Sequence, residues 1–338
     1  MKPLIGLTMG DPGGIGPEII LKSLTKFRSK HSALLVIGSR DVFKHASRRL
    51  KLPFHPKEIS SLERPLPKGG NHYFLDISKE ATQLYKLRFR KMPSRKDKKV
   101  TIGKVSRWNA CLAYAALELA AREATCKKLQ AIVTAPIHKG AMRLLASEFV
   151  GHTEYLAKVD RARRHAMMFV SDVLCVTLQT IHLPLKKVAG ALRTPDIKDK
   201  IWLTNQFLKH SLKIKSPLIG VAALNPHGSE FGQEESSVIA PAVKQARKAG
   251  IRVTGPLPGD QVFFDAYEKR LDAVVAMYHD QGLAPFKMIA FHDGVNVTLG
   301  LSYLRTSPDH GTAFDIAYRG KAIPTAFLNA MRLVERTL

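Results

Sequence analysis

Short apolar runs alternate with amphipathic stretches along the whole chain. Residues 4–9, 33–38, 131–134, 166–170, 174–179, 218–223, 273–277 and 295–299 are dominated by apolar residues on successive positions rather than alternate ones. This is the pattern of strands buried on both faces of a parallel sheet. Residues 73–77 and 251–254 read as further short strands. Helical stretches are expected from about Pro17 and over 40–50, 105–124, 141–147, 195–213, 234–249, 311–319 and 322–337. The repeated alternation predicts an α/β architecture. Ala113, Ala115, Ala116, Ala120 and Ala121 suit close packing of the long helix, and residues 53–70, rich in proline and lysine, read as loop.

The points where strands stop carry the chemistry. The run 273–277 ends at Tyr278-His279-Asp280-Gln281-Gly282, 174–179 at Thr180-Ile181-His182-Leu183-Pro184, and 218–223 at Leu224-Asn225-Pro226-His227-Gly228. Active sites of open α/β sheets lie beyond the carboxyl ends of their strands. Three neutral imidazoles gathered there suit Zn²⁺ or a similar divalent ion, with a position left for substrate. The bland alternative is three unrelated histidines among thirteen. Gly10–Glu18, glycine-rich and joining a strand to a helix, either wraps a phosphate or dinucleotide or is a tight turn. It is neither a P-loop nor a GxGxxG fingerprint. Lys287, Asn296 and Arg305, with Thr306 and Ser307, supply the cations, amide and hydroxyls that a phosphate or carboxylate needs. Backbone amides of Asp309-His310-Gly311-Thr312-Ala313 can approach a nucleotide closely.

Composition narrows the class. At 45% hydrophobic and 24% charged, the 338-residue chain is long enough for two α/β lobes and has no apolar run that spans a bilayer. Met1-Lys2-Pro3 passes straight into a strand, so no signal peptide is expected. Cys111, Cys126 and Cys175 are scattered without zinc-type spacing, as in a cytoplasmic protein. The net charge of +25 invites a nucleic-acid reading. That charge is spread along the chain without a helix-turn-helix, zinc finger or aromatic RNA motif, so no nucleic-acid partner is expected. Its densest cluster, 86–99 (KLRFRKMPSRKDKK), reads as a solvated loop.

GDPGGIGPE (10–18), TAPIHKG (134–140), GHTEYLA (151–157), TIHLPL (180–185), LNPHGSE (224–230), GPLPGD (255–260), AMYHDQGLAPFK (276–287), GVNVTLGL (294–301) and RTSPDHGTAFDIAYRGKA (305–322) occur in this order over nearly the whole chain. Together they resemble the 4-hydroxythreonine-4-phosphate dehydrogenase family of pyridoxal phosphate biosynthesis. The resemblance implies a two-lobed α/β/α fold like that of isocitrate and isopropylmalate dehydrogenases, with the active site in the interlobe cleft. It places residues 1–130 and 285–338 in a discontinuous first lobe on the cofactor side, and 131–284 in a second lobe that binds metal and forms the dimer. It further implies a cytoplasmic homodimer whose active site is completed at the subunit interface. The implied reaction is NAD- or NADP-linked and uses one divalent ion per subunit (Zn, Mg or Co). It oxidises 4-phosphooxy-L-threonine at C3, followed by decarboxylation to 3-amino-2-oxopropyl phosphate.

By position, the metal ligands fall on His182, His227 and His279, and the substrate contacts on His152, Thr153, Lys287, Asn296 and Arg305. Asp260, Asp280 and Lys139 are candidates for orienting ligands or moving a proton. Gly14, Gly16, His310, Gly311, Thr312 and Ala313 are candidate cofactor contacts. The chain departs from the family pattern in the basic stretch 91–99 and in a shorter loop between His227 and Glu234. Two rival readings are a dehydrogenase of 4-phospho-D-threonate or 4-phospho-D-erythronate, and a basic nucleic-acid-binding protein on a degenerate enzyme scaffold.

Overall fold

The computed structural model describes residues 2–29, 31–67 and 70–338. Contacts divide the chain into two compact units, one built from residues up to 161 together with 301–336, the other from 162–300. In chain order the strands are β1 (Leu4–Thr8), β2 (Ala33–Gly38), β3 (Lys57–Ile59), β4 (His72–Asp76) and β5 (Ala131–Thr134) in the first unit. They continue as β6 (Ala166–Val170), β7 (Cys175–Leu178), β8 (Ile219–Ala222), β9 (Val253–Leu257), β10 (Ala273–Ala276) and β11 (Val295–Leu299) in the second. The chain then returns to the first with β12 (Leu304–Pro308).

Strands of the first unit run in the order β3-β4-β2-β1-β5-β12, all parallel. β1, β2 and β5 are fully buried, which explains their continuous apolar sequence. The order reverses between β1 and β5, so a switch point lies beyond Thr8 and Thr134. The helix Arg107–Thr125 packs on β1, β2 and β5. Its buried alanines allow that approach, and Ser106 caps it by accepting from Asn109 N at 3.1 Å.

The second unit has the order β11-β6-β7-β10-β8-β9. β6 runs antiparallel to both neighbours, while β7, β10, β8 and β9 are parallel. Its core gathers Val176, Leu178, Val274, Ala276, Leu283 and Phe286 between the sheet and the helix His279–Ala290. A fully buried side chain such as Phe286 contributes about 2–3 kcal/mol.

Several expectations are corrected. Residues 131–161 belong with the first unit because β5 pairs with β1 and β12, and 285–300 with the second because β11 pairs with β6. The predicted loop 53–70 contains β3, while Lys68 and Gly69 lie outside the described residues. The basic stretch 86–99 begins inside a helix, Ser78–Phe89. Residues 311–319 form turns instead of a helix, since Ala313 and Tyr318 take left-handed φ values of 41° and 59°. Residues 279–290 form a helix despite Pro285, and 304–308 a strand. Among the described residues no helix is long and apolar enough to cross a membrane.

Candidate active site

In the second unit, β10 lies between β7 and β8 and runs parallel to both, with Ala276 opposite Leu178 and Val275 opposite Val221. The three histidine-bearing segments therefore leave one sheet edge side by side. Backbone and side-chain bonds tie their exits together. Gln179 N donates to Ala276 O at 2.8 Å, and Thr180 Oγ1 donates to Met277 O at 2.8 Å. Gln281 receives Met277 N on its Oε1 at 2.7 Å and donates from Nε2 to Ala223 O at 2.6 Å, clamping the end of β10 to the end of β8. Glu235 fixes the segment before His227. Its Oε1 accepts from Leu224 N and Asn225 N, both at 2.8 Å, and its Oε2 from Asn225 Nδ2 at 3.0 Å. Burial pushes the Glu235 carboxyl up, but these hydrogen bonds outweigh it and hold its pKa below the ordinary value.

His182 and His227 take left-handed backbone, φ 42° and 54°. Such a conformation in a non-glycine residue is uncommon and concentrates at functional sites. The rings of His182 and His279 stand 6.1 Å apart, while the ring of His227 lies 6.0 Å from Phe231. Asp280 Oδ1 lies 2.6 Å from His279 Nδ1. A carboxylate there selects the tautomer that keeps the Nε2 lone pair for a metal. Among the described residues no group of three or more His, Cys, Asp or Glu side chains is closed up tightly enough to hold an ion. Imidazole donors suit a divalent ion, and the strand order brings the three histidine-bearing segments to one edge, but the imidazoles do not converge. Asp260 is exposed in the first turn of the helix Gly259–Tyr267. Lys287 Nζ sits 5.3 Å over the Phe291 ring, and Asn296 on β11 has a buried Oδ1 without a hydrogen-bond partner among the described residues.

The first unit carries the remaining candidates after β5, near the start of β12 and after it. Arg305 is 2% exposed, and its Nε and Nη2 donate to Thr134 Oγ1 at 3.1 and 2.7 Å. Burial pushes the Arg305 guanidinium down to about 10. His152 and Thr153 open the helix His152–Val159, and Lys139 opens Lys139–Arg143. Burial, then the positive charges of Arg305 and Lys139, hold the His152 pKa well below the usual histidine range, so its ring is neutral. His152 Nε2 and the Tyr303 hydroxyl are buried without a hydrogen-bond partner among the described residues. An ordered water or a ligand can supply the missing bond to such atoms.

The glycine-rich opening and the 309–313 loop meet: Ile15 N donates to Thr312 O at 3.0 Å. A Cβ on Gly14 would lie 2.7 Å from Thr312 O, and one on Gly16 2.2 Å from Met9 O. Both glycines are thus required by internal packing, while exposed His310 and Gly311, beside half-buried Ala313, are the parts of this corner open to a nucleotide. Asp11, absent from the sequence-based set, is fully buried here. Its Oδ1 accepts from Gly13 N at 2.8 Å, and burial raises its pKa to about 6. Thr134, Glu235 and Gln281 were likewise not legible, because their partners are distant in sequence. A groove of about 990 Å³ opens at the amino ends of β1, β2 and β4, lined by Lys2, Leu62, Arg64, Leu66, Tyr73 and Lys127 among others. It lies at the opposite strand ends from the residues above.

Residues 30–334 match the family model described as pyridoxal phosphate biosynthetic protein PdxA. The 4-hydroxythreonine-4-phosphate dehydrogenase of Desulforapulum autotrophicum is 43% identical over 336 residues, covering 98% of this chain and 94% of that protein. The D-threonate 4-phosphate dehydrogenase of Salmonella typhimurium is 39% identical over 321 residues, 94% of each chain. A solved structure titled as a putative 4-hydroxythreonine-4-phosphate dehydrogenase from Salmonella typhimurium superposes with a TM-score of 0.83 at 36% identity, covering 99% of this chain and 100% of that one. The chain belongs to the PdxA family and is an oxidoreductase.

Proposed function

We propose that the chain oxidises the C3 hydroxyl of 4-phosphooxy-L-threonine with NAD or NADP, and that the resulting 2-amino-3-oxo acid loses CO₂ to give 3-amino-2-oxopropyl phosphate. What supports this reading is that the segments bearing His182, His227 and His279 leave one sheet edge side by side, after the adjacent parallel strands β7, β8 and β10, in a chain 43% identical to a 4-hydroxythreonine-4-phosphate dehydrogenase. His182, His227 and His279 would hold a divalent ion, which would supply Lewis-acid chemistry for the oxidation.

The protein's own groups do the rest. Arg305 and Lys287 hold the substrate's anionic ends by charge-assisted bonds. Neutral His152 donates or accepts a hydrogen bond at a substrate oxygen without adding charge. Thr153 and Asn296 complete the polar contacts and fix the hydride-transfer geometry. Asp280 orients His279, and Asp260, Asp280 and Lys139 are the groups available to take the hydroxyl proton. His310, Gly311, Thr312 and Ala313 would hold the cofactor, and two copies of the chain would form the working enzyme.

Relatives named D-threonate 4-phosphate dehydrogenase, 39% identical, favour a second reading, in which a hydroxyl replaces the amine of the substrate. The metal assignment is tested by His227→Ala. NAD(P)H formation is expected to disappear and metal content to fall while the circular dichroism spectrum is unchanged. Near-normal turnover would rule out the ligand role.

A further inference from the structure

We propose that Thr134 is a positioning residue, whose hydroxyl holds the Arg305 guanidinium in the orientation that receives the substrate's oxyanion. The inference rests on the reading of Arg305 as a substrate contact. Arg305 on β12 stands opposite Ile132 on β5. Residues two apart on a strand share a face, so Thr134 lies one step along the same face, within reach of the arginine side chain. Nε and Nη2 both converge on its single oxygen, at 3.1 and 2.7 Å. These two nitrogens form one edge of the planar guanidinium, and gripping an edge fixes both the plane and its rotation about the long axis.

Thr134 is itself rigid. It is 0% exposed, its backbone pairs with Thr8 of β1, and Ala135 N donates to Thr8 O at 3.1 Å. A valine has the same shape but cannot accept these bonds. It removes both bonds from a 2% exposed cation, so that the edge of the guanidinium is no longer gripped there. The bland reading is that Thr134 merely satisfies a buried arginine and contributes only to stability. The two readings separate in kinetics.

Thr134→Val is compared with Thr134→Ser, Arg305→Lys and the double variant Thr134→Val/Arg305→Lys. Turnover is measured with 4-phosphooxy-L-threonine, and binding by calorimetry with inorganic phosphate and with L-threonine as separate probes. The expected result for Thr134→Val is a KM for the phosphorylated substrate raised roughly tenfold or more. kcat and the cofactor KM should stay within about threefold, since the contact is made in ground and transition states alike. Thr134→Ser should restore KM, and the valine should add less than about twofold in the Arg305→Lys background, because coupled residues are not additive.

A parallel loss of phosphate affinity assigns the phosphate to Arg305; a parallel loss of L-threonine affinity assigns the carboxylate. A folded Thr134→Val protein with unchanged KM, unchanged affinity for both probes and only lowered thermal stability overturns the proposal. If the valine variant does not fold, Thr134→Cys, which keeps the volume with a weak acceptor, takes its place with the same criteria. Should the wild type turn over no phosphorylated acid, the function proposed above fails by itself, while calorimetry still decides the role of Thr134. Absence of turnover together with absence of binding of both probes in the wild type overturns both.

Discussion

Replacing Gln281 with leucine tests whether the histidine segments are held together as the fold suggests. The glutamine makes two bonds, from Met277 N at 2.7 Å and to Ala223 O at 2.6 Å. Leucine fills the same space and makes neither. Each intramolecular bond contributes about 1 kcal/mol net, and a buried amide left unpaired costs about 1–3 kcal/mol more. The expected destabilisation is therefore about 3 kcal/mol, which in a unit of this size lowers Tm by about 6–12 °C. Gln281→Glu keeps the acceptor for Met277 N but turns a carboxylate oxygen toward Ala223 O, so its loss should be no smaller. Because the clamp joins the exits of β10 and β8, which lead to His279 and His227, zinc affinity in Gln281→Leu should drop about 10–100-fold, the range seen when support for a ligand is removed. Differential scanning calorimetry and a competitive zinc chelator titration read the two effects. A Tm change below about 1 °C together with unchanged zinc affinity would refute the clamp.

Other outcomes follow from buried ionisable groups. The folded pKa of Asp11 is raised from 3.8 to about 6, so the native state favours the protonated carboxyl. The stability this gives is present below the unfolded value and lost as pH rises through about 6; at one pKa unit per 1.36 kcal/mol, the loss is about 3 kcal/mol. Asp11→Asn should therefore raise Tm at pH 8 and leave it nearly unchanged at pH 4; an equal effect at both would contradict the burial argument. His152 has a folded pKa well below 6.5. Its unfolded form binds a proton that the native form rejects, so stability falls as pH drops below about 6.5. His152→Gln should flatten that limb in a pH series of thermal melts. Glu235 has a lowered folded pKa, so its stabilisation is present above the unfolded value and lost as pH falls through the folded one. Glu235→Gln should cost stability at pH 7 but little in acid, and it should lower turnover by freeing the His227 segment. Normal turnover in that variant would detach Glu235 from the site.

The parallel core was legible because strands buried on both faces must be apolar at every position, as Ala33–Gly38 and Ala131–Thr134 are. β12 was not, because Arg305, Thr306 and Ser307 are polar yet buried, so no apolar run marks the strand. The helix His279–Ala290 was hidden by Gly282 and Pro285, residues that break helices unless packing compensates, as it does here through Leu283 and Phe286. The three histidines could be picked out because each follows a strand closely. Their supports could not: Gln281 reaches Ala223 across 58 residues and Arg305 reaches Thr134 across 171, separations at which sequence spacing holds no information. The glycines at 14 and 16 were visible, but their purpose was not, since a glycine needed by a ligand and one needed by a neighbouring carbonyl look alike in sequence.

The central claim concerns the substrate, and one paired assay addresses it. kcat/KM for NAD(P)H formation is measured with 4-phosphooxy-L-threonine and with 4-phospho-D-threonate on the same metal-replete enzyme. A clear preference for 4-phosphooxy-L-threonine is expected. Preference for 4-phospho-D-threonate, or no NAD(P)H from either acid, would contradict it.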